Sequence, residues 1–364
     1  MVGADMIGNF LLMRALPVAL LLAALSVSGW ATASPGIALL NQAALQSAKA
    51  PRAVLLAVTR AGDRLVAVGE RGIVLLSDDS GQSWRQARVP VSVSLTAVQF
   101  VDAEQGWAVG HMGVILRSTD GGQTWVKQLD GVAAAHLALV SAQQGNDAKR
   151  LKDAQWLVAD GPDKPFLDLY FSDRRNGYVV GAYGLILHTT DGGDSWQPWM
   201  QQVNNPEGLN LYGIRPAGGA LFIVGERGLL LRSVDNGGSF QALESPYDGS
   251  FFGVQGSPAG ELVAFGLRGN AYWSGDQGLT WRRVETGLEV ALSSGTQLPD
   301  GALILASQAG DLLLSPDRGR SLRHLTGPAG ASIAGLVAAP DGSLISVGLS
   351  GVTRLKHNLS SAQR

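Results

Sequence analysis

The chain has 364 residues, of which 46% are apolar and 16% charged, and its formal net charge is −2. Such a small net charge excludes the strong basic field that nucleic acid or an anionic membrane would attract. Cysteine is absent, which excludes disulfides, thiolate nucleophiles, cysteine-ligated zinc and a lipid anchor on cysteine. Glycine supplies 48 residues, nearly twice the usual share of about 7%, and this indicates an all-β chain with many tight turns.

The first element along the chain is an export signal. Arg14 precedes an apolar run over residues 15–27, and Ala31-Thr32-Ala33 supplies the small residues of a cleavage site. The run is shorter than the roughly 20 residues of a membrane span, although an uncleaved anchor stays as the alternative. We expect residues 1–33 to be a signal peptide. The mature protein would then be exported, periplasmic or in an equivalent lumenal compartment, without direct membrane insertion.

An eight-residue box dominates the rest of the sequence. Its pattern is Ser/Thr-x-Asp-x-Gly-x-Ser/Thr-aromatic, first seen as Ser77 to Trp84, and the final aromatic residue becomes Leu322 in the sixth copy. The central aspartates are Asp79, Asp120, Asp191, Asp235, Asp276 and Asp317, with spacings of 41, 71, 44, 41 and 41 residues. The one long spacing marks an insertion between the second and third units.

A second pattern, Val-Gly-x-x-Gly, precedes the boxes and occurs a seventh time at Gly348 and Gly351. Each unit contains four short apolar segments separated by Gly/Asp turns. Four strands in a period near 41 residues are typical of one β-propeller blade, and a solenoid fits this period less well. The sequence therefore predicts a single seven-bladed β-propeller with box turns over residues 34–364.

Two departures from the repeat carry further predictions. The seventh unit lacks its outermost strand, and residues 39–48 lie one period before the first outer strand. We predict that they complete blade seven, because this would join the chain ends and remove an exposed sheet edge. Between blades two and three, residues 130–160 show helical spacing of Leu151, Ala154 and Leu157, and Gly145 begins a break. They predict a helical hairpin packed on the propeller rim, with a lid or docking arm as the functional alternative.

The six box aspartates have a structural and a functional interpretation. A short polar side chain and a carboxylate can accept backbone N–H groups inside a tight turn. Calcium or carbohydrate binding is the alternative, but single carboxylates spread around a ring do not supply the six to eight oxygens of a calcium site. We expect all six to be architectural, and we expect neither a metal nor a cofactor.

The box is the Asp-box, or BNR repeat, and the joined motif from Val109 to Trp125 resembles the photosystem II stability/assembly factor family. Similar strings run from Val180 to Trp196 and from Val224 to Phe240, and the resemblance covers residues 54–355. It implies a non-catalytic propeller that is exported and assists the assembly of a membrane protein complex. The insertion departs from the compact family pattern.

The alternative function is a secreted sialidase-like glycoside hydrolase, because Asp-box propellers include sialidases. Ordinary glycoside hydrolysis needs two carboxylates about 5 to 9 Å apart. The sequence lacks an Arg-Ile-Pro element, since Ile214-Arg215-Pro216 has the wrong order. It also lacks the common nucleophile-elbow, phosphate-loop and zinc-protease motifs. We therefore expect no enzymatic activity and no catalytic residues.

The turns inside the Val-Gly-x-x-Gly motifs are the candidate partner-binding face, because variable loops on a rigid scaffold commonly carry recognition. The candidate residues are Arg71, His111, Tyr183, Arg227 and Arg268. Ordinary solvated turns are the alternative. Arginine can bind a carboxylate through two parallel hydrogen bonds, so we expect the partner to be an acidic, extended loop or tail of a membrane protein. We expect the protein itself to be a monomer. Glu70 and Glu226 are expected to pair with neighbouring arginines and reduce this field.

Overall fold

A computed structural model describes residues 35–325 and 331–355, and the predicted signal peptide lies outside these ranges. The described strands form seven antiparallel sheets arranged as the blades of a propeller, which confirms the predicted fold class. Helices are few, and none in the described ranges is long and apolar enough to cross a membrane.

Each blade is a meander in which strands follow chain order from the first to the last. The strands of blades one to three are β1 (Leu55–Ala61), β2 (Arg64–Gly69), β3 (Val74–Ser77), β4 (Arg85–Gln86), β5 (Leu95–Phe100), β6 (Gly106–Gly110), β7 (Ile115–Ser118), β8 (Val126–Leu129), β9 (Phe166–Phe171), β10 (Gly177–Gly181), β11 (Ile186–Thr189) and β12 (Gln197–Pro198). Those of blades four to seven are β13 (Leu211–Ala217), β14 (Ala220–Gly225), β15 (Leu230–Ser233), β16 (Gln241–Ala242), β17 (Phe251–Gly256), β18 (Leu262–Gly266), β19 (Ala271–Ser274), β20 (Arg282–Val284), β21 (Leu292–Gln297), β22 (Leu303–Ser307), β23 (Leu312–Ser315), β24 (Arg323–His324), β25 (Gly335–Ala338), β26 (Leu344–Gly348) and β27 (Gly351–Leu355). The helices are α1 (Pro35–Leu39), α2 (Gly131–Gln143) and α3 (Ala148–Asp160).

The second strand of a blade is packed against an adjoining blade on each face of its sheet, and its apolar sequence reflects this. All five residues of β6 are buried, because both faces of the sheet contact an adjoining blade. Trp107 of this strand stacks on Phe171 of blade three with ring centroids 3.6 Å apart. Apolar clusters of this kind lie between neighbouring blades and hold the ring together.

The six boxes share one hydrogen-bond geometry. In blade two, Asp120 accepts hydrogen bonds from the backbone N–H of Thr124 at 3.0 Å and from the Ser118 hydroxyl at 2.8 Å. Its second oxygen accepts the Thr124 hydroxyl at 2.6 Å. The same donors occur two residues before and four residues after Asp79, Asp191, Asp235, Asp276 and Asp317. The carboxylate oxygens are thus occupied within the turn. Among the described residues, no three acidic or histidine side chains cluster as a metal site would require.

The insertion between blades two and three is a helical hairpin, as the sequence predicts. Asp130 and Asp147 accept a backbone N–H from the first turns of α2 and α3 and so begin the two helices. Leu137 and Leu157 pack against the core between blades two and three. The small residues Ala138 and Ala154 allow the helices to approach each other closely.

The prediction that residues 39–48 complete blade seven is wrong. They follow the outer side of blade one, where the N–H of Ala44 donates to the Val89 carbonyl at 3.0 Å and the N–H of Ser92 donates to the Leu39 carbonyl at 2.9 Å. Leu40 is buried with Ala44 in the core shared by blades one and two. The segment has few β-branched residues, so burying Leu40 there decides its position.

Blade seven differs from the others in its turn and register. In blade seven Gly348 pairs with Gly351 across the two residues Leu349 and Ser350. In blade one the Gly69 N–H bonds to the Ile73 carbonyl across the three residues Glu70–Gly72. A shift of one residue turns every side chain to the opposite face of the sheet. Leu355 therefore packs on blade six, and Arg354 faces blade one, where its Nε donates to the Ser80 carbonyl at 3.1 Å. The unshifted register would place Arg354 against an apolar core.

The N-terminal segment gives a test of the observed contacts. Leu40→Ala should lower the free energy of unfolding by about 2 kcal/mol, because it deletes a side chain that is 1% exposed. Leu45→Ala is the matched control, since Leu45 is 75% exposed and should change the free energy by less than about 0.5 kcal/mol. Urea unfolding measures both, and equal effects would contradict the docking of Leu40.

The boxes give a second test. Asp120→Ala should destabilise the fold by about 1 kcal/mol or more, because three donors lose their acceptor. Titration with calcium followed by calorimetry should show no stoichiometric heat, since the oxygens are already bonded within the turn. Stoichiometric calcium binding that Asp120→Ala reduces would contradict the architectural interpretation.

A third test concerns acid stability. Hydrogen bonding lowers the pKa of Asp79, Asp191 and Asp235 to about 2, with the Ser83, Ser195 and Ser233 hydroxyls as the largest contributors. A carboxyl whose pKa is lowered on folding stabilises the protein above its unfolded pKa and loses that contribution as the pH falls. The melting temperature should therefore drop between about pH 4 and pH 2. The triple variant Asp79→Asn, Asp191→Asn, Asp235→Asn should flatten this drop, and an unchanged drop would refute the assignment.

Candidate partner-binding face

The candidate residues lie on turns whose backbone is fixed from two sides. In blade one, the N–H of Glu70 donates to the carbonyl of Val54, just before β1, at 2.9 Å. The turn also lies against the linker that leaves the blade, so a Cβ on Gly72 would lie 2.1 Å from the Val91 carbonyl oxygen. Gly72 has a φ of +73°, a second reason for glycine there. The equivalent glycines of blades four and five show the same close approach.

The middle residue of each three-residue turn adopts a left-handed conformation. Its φ lies between 52° and 59° in Arg71, Met112, Tyr183, Arg227 and Arg268. Residues with a Cβ rarely adopt this conformation, and here the two fixed ends of the turn impose it. Four of the five predicted residues therefore occupy equivalent positions, one to a blade and all exposed. His111 is also exposed but precedes the middle position, which Met112 occupies.

The arginines differ in their partners. Arg227 pairs with Glu207 at 2.6 Å, and both side chains are more than half exposed, so this pair contributes little to stability. Arg71 and Arg268 make no side-chain hydrogen bond or ion pair with any other described residue. The expected pairing of Glu70 and Glu226 with arginine is wrong. The two carboxylates instead accept the backbone N–H groups of Val54 at 3.0 Å and Asn210 at 3.2 Å.

The face as a whole is not uniformly basic. The linkers that leave blades four and five lie against the turns of Arg227 and Arg268, as the contacts of Tyr247 and Leu288 show. They carry four exposed carboxylates, which are Glu244, Asp248, Glu285 and Glu289. Arg71 has no such group in the adjoining linker, residues 87–94. The arginines are therefore separate points of positive charge on different blades.

Tyr183 of blade three belongs to an aromatic pair that the sequence analysis missed. Its ring is 57% exposed and meets Trp156 of α3, 55% exposed, edge-on at 6.4 Å between centroids. Burial opposes a charge on Lys164, but the hydrogen bonds that its ammonium group donates to Asp160 and Asp163 raise the pKa of that group. The ammonium nitrogen lies 5.6 Å from the Tyr183 ring centroid. Trp156 lies off the apolar stripe of α3, so its exposure could have been read from the sequence.

A groove of about 820 Å³ opens beside this aromatic pair. Trp156 and Tyr183 line one part of it, and Met200 and Glu207 line the part formed by the linker between blades three and four. The hairpin thus adds a wall to the face at blade three. It extends the surface available for a partner from the turns toward the rim.

The central channel contains polar groups that sequence reasoning did not identify. Asp168 of β9 accepts a hydrogen bond from the Ile214 N–H at 2.9 Å and pairs with Arg215 at 2.5 Å. Tyr212 and Phe252 meet edge-on at 5.5 Å in the same cavity of about 210 Å³. Within the described residues, Asp168 is the only carboxylate lining this cavity. The pair of free carboxylates that glycoside hydrolysis needs is not found there.

Comparison with known proteins places these features in a family. The family model described as "Photosynthesis system II assembly factor YCF48" matches residues 76–147 and 148–322. A photosystem II stability/assembly factor, HCF136, of Cyanidioschyzon merolae is 37% identical over 67 residues, which are 17% of this chain and 15% of that protein. The photosystem II assembly lipoprotein Ycf48 of Prochlorococcus marinus is 42% identical over 52 residues, 14% of this chain and 15% of that protein. The matches therefore span only a small part of either relative.

Solved structures agree on the fold. A structure of YCF48 bound to D1 peptide aligns with a TM-score of 0.60 at 18% identity, covering 87% of this chain and 95% of that one. YCF48 from Cyanidioschyzon merolae aligns with a TM-score of 0.59 at 16% identity, covering 84% and 95%. The family model matches more than half of the residues, so the chain belongs to the photosystem II assembly factor YCF48 family.

Proposed function

We propose that this protein is an exported, non-catalytic scaffold that holds an extended, acidic segment of a membrane protein while a membrane complex assembles. The observation that carries the proposal is the ring of turns with Arg71, Tyr183, Arg227 and Arg268 exposed on a fixed backbone. Because the turns are already rigid, binding costs little ordering of the scaffold. A structure of YCF48 bound to D1 peptide supports this mode of binding.

The chemistry of the face favours several separate carboxylate contacts. Arg71 and Arg268 have no carboxylate partner among the described residues, and each can bind a carboxylate through two parallel hydrogen bonds. Tyr183 and Trp156 offer an aromatic surface for an apolar side chain of the same segment. A client with acidic residues several positions apart would meet these contacts together.

An exported location fits this role. The leader over residues 1–33 has the order of a signal peptide, and the relatives carry the names of a lipoprotein and a chloroplast protein. We place the mature chain in the periplasm or an equivalent lumenal compartment, as a monomer. The glycosidase alternative is less well supported, because the described residues that line the channel include a single carboxylate, Asp168, which is already paired with Arg215.

The proposal is tested with the triple variant Arg71→Ala, Arg227→Ala, Arg268→Ala. Affinity for a fluorescent D1 peptide, measured by anisotropy, should fall about tenfold, equivalent to about 1.4 kcal/mol. The loss should be larger at low salt than at high salt, because salt screens exposed charges. The fold should persist, since exposed substitutions shift stability by less than about 0.5 kcal/mol each.

The matched control removes three exposed arginines from other surfaces, as Arg88→Ala, Arg283→Ala, Arg323→Ala. This control variant has the same net charge as the triple variant of the turns, and it should bind the peptide like the native protein. Equal binding by both triple variants would contradict the proposal that the client binds at the turns. Release of product from a chromogenic sialoside by the native protein would favour the glycosidase.

A further inference from the structure

We infer that the outer edge of blade seven is a second docking site, where an acidic, extended segment of a partner protein adds as the fourth strand. The inference rests on the proposed capture of extended segments but uses a surface separate from the arginine turns. Blades one to six each have four strands, whereas blade seven has three within the described residues. A strand added at a free edge forms backbone hydrogen bonds like those between the third and fourth strands of the other six blades.

The backbone of β27 points the necessary groups outward. In an antiparallel pair, residues alternate between exchanging hydrogen bonds with the partner strand and directing them away from it. Val347 of β26 lies opposite Val352 of β27. The Val347 carbonyl points away from β27, since it accepts the Ala334 N–H at 2.7 Å. Its partner Val352 therefore directs its own N–H and carbonyl to the outer edge. No backbone group in residues 35–325 or 331–355 bonds to them there.

The other blades show what this edge would accept. Val74 of blade one pairs with Val68 as Val352 pairs with Val347, and the Val74 carbonyl accepts the N–H of Ala87 at 2.9 Å. In blade four, the Leu230 carbonyl likewise accepts the N–H of Leu243 at 2.9 Å. In both blades the donor is the residue that follows the fourth strand.

The described part of the chain passes close to this edge without pairing along it. A Cβ on Gly351 would lie 2.1 Å from the Pro51 carbonyl oxygen, just as a Cβ on Gly72 would lie 2.1 Å from the Val91 carbonyl oxygen. Pro51 therefore occupies, beside the turn of blade seven, the position that the linker after the fourth strand occupies beside the turn of blade one. The residues before it turn away, because Ala44 bonds to Val89 of blade one.

A cavity of about 400 Å³ lies beside Pro51, and Gln46, Ala50, Trp84 and Arg85 contribute to its lining. Trp84 and Val352 of the edge strand pack against the same apolar cluster, which contains Leu65 and Ile345. The interface between blades four and five shows a comparable arrangement. Leu243, which follows the fourth strand of blade four, and Trp281, the box aromatic residue of blade five, pack against the same apolar cluster. An incoming strand can place an apolar side chain near Trp84 in the same way.

The charges around the edge select an acidic partner. Lys49 and Arg52 are exposed, and neither side chain makes a hydrogen bond or ion pair with the other described residues. The nearby carboxylates are occupied. Asp78 pairs with Arg64 at 2.6 Å and with Arg85 at 3.5 Å, and Asp341 pairs with Arg354 at 2.5 Å. A segment with glutamate or aspartate beside a β-branched residue would complement both the charge and the edge.

The test uses a library of ten-residue peptides displayed on phage and selected on the full mature chain. Selected peptides should be enriched in acidic and β-branched residues. Binding should fall at least tenfold on Lys49→Glu, Arg52→Glu and should persist on Lys152→Glu, Arg283→Glu. The control makes the same charge change at exposed positions, one on α3 and one on the fourth strand of blade five. Retained binding on Lys49→Glu, Arg52→Glu, or peptides without acidic residues, would overturn the inference.

Hydrogen exchange at individual amides identifies the occupant. A selected peptide should protect the amides of Val352 and Arg354, and N-methylation of its alternate residues should abolish that protection. Protection of both amides before any peptide is added would show that the chain itself fills the edge. Protection that appears only at high protein concentration would show a second copy. Either result would overturn the partner site, whereas failure of the arginine triple variant alone would affect only the proposed function.

Discussion

The close approach of each turn to its neighbouring linker is the contact on which the rest of this propeller depends. At Gly72 and Gly269 a Cβ would lie 2.1 Å from a carbonyl oxygen, and this leaves room for hydrogen only. The contact joins the middle of a blade to the chain segment that leads to the next blade. It therefore sets the position of successive blades and holds the intervening residue in a left-handed conformation. The same constraint builds the ring and exposes the candidate binding residues of the turns.

The repeat allowed most of the fold to be predicted, because its signals are local. Glycines three residues apart, followed by an Asp-box, specify a turn, a strand and a second turn without reference to distant contacts. The spacing of Asp79 and Asp120 then gave the blade length, and the wider spacing to Asp191 gave the insertion. The helical hairpin followed from apolar spacing alone. Each of these features needs only the residues that form it.

The remaining features depend on competition between distant partners. Residues 39–48 lie at the correct distance along the chain for blade seven, yet Leu40 is buried between blades one and two. The register of β27 depends on whether Arg354 or Leu355 faces the apolar side of blade six. The pair formed by Asp168 and Arg215 joins the neighbouring blades three and four, so no local pattern reveals it. Such outcomes require the packed ring to be known first.

The ends of the chain differ in kind from its middle. The family model matches residues 76–147 and 148–322, which excludes blade seven and the N-terminal segment. These are the parts that close the ring, and they do so through side chains, with Leu65 and Ile345 packed together and Arg354 bonded to Ser80. Within residues 35–325 and 331–355, closure by packing leaves the backbone edge of β27 without a neighbouring strand, whereas closure by a shared strand would occupy it. Side-chain packing can therefore close the ring without requiring a strand shared between the two chain ends.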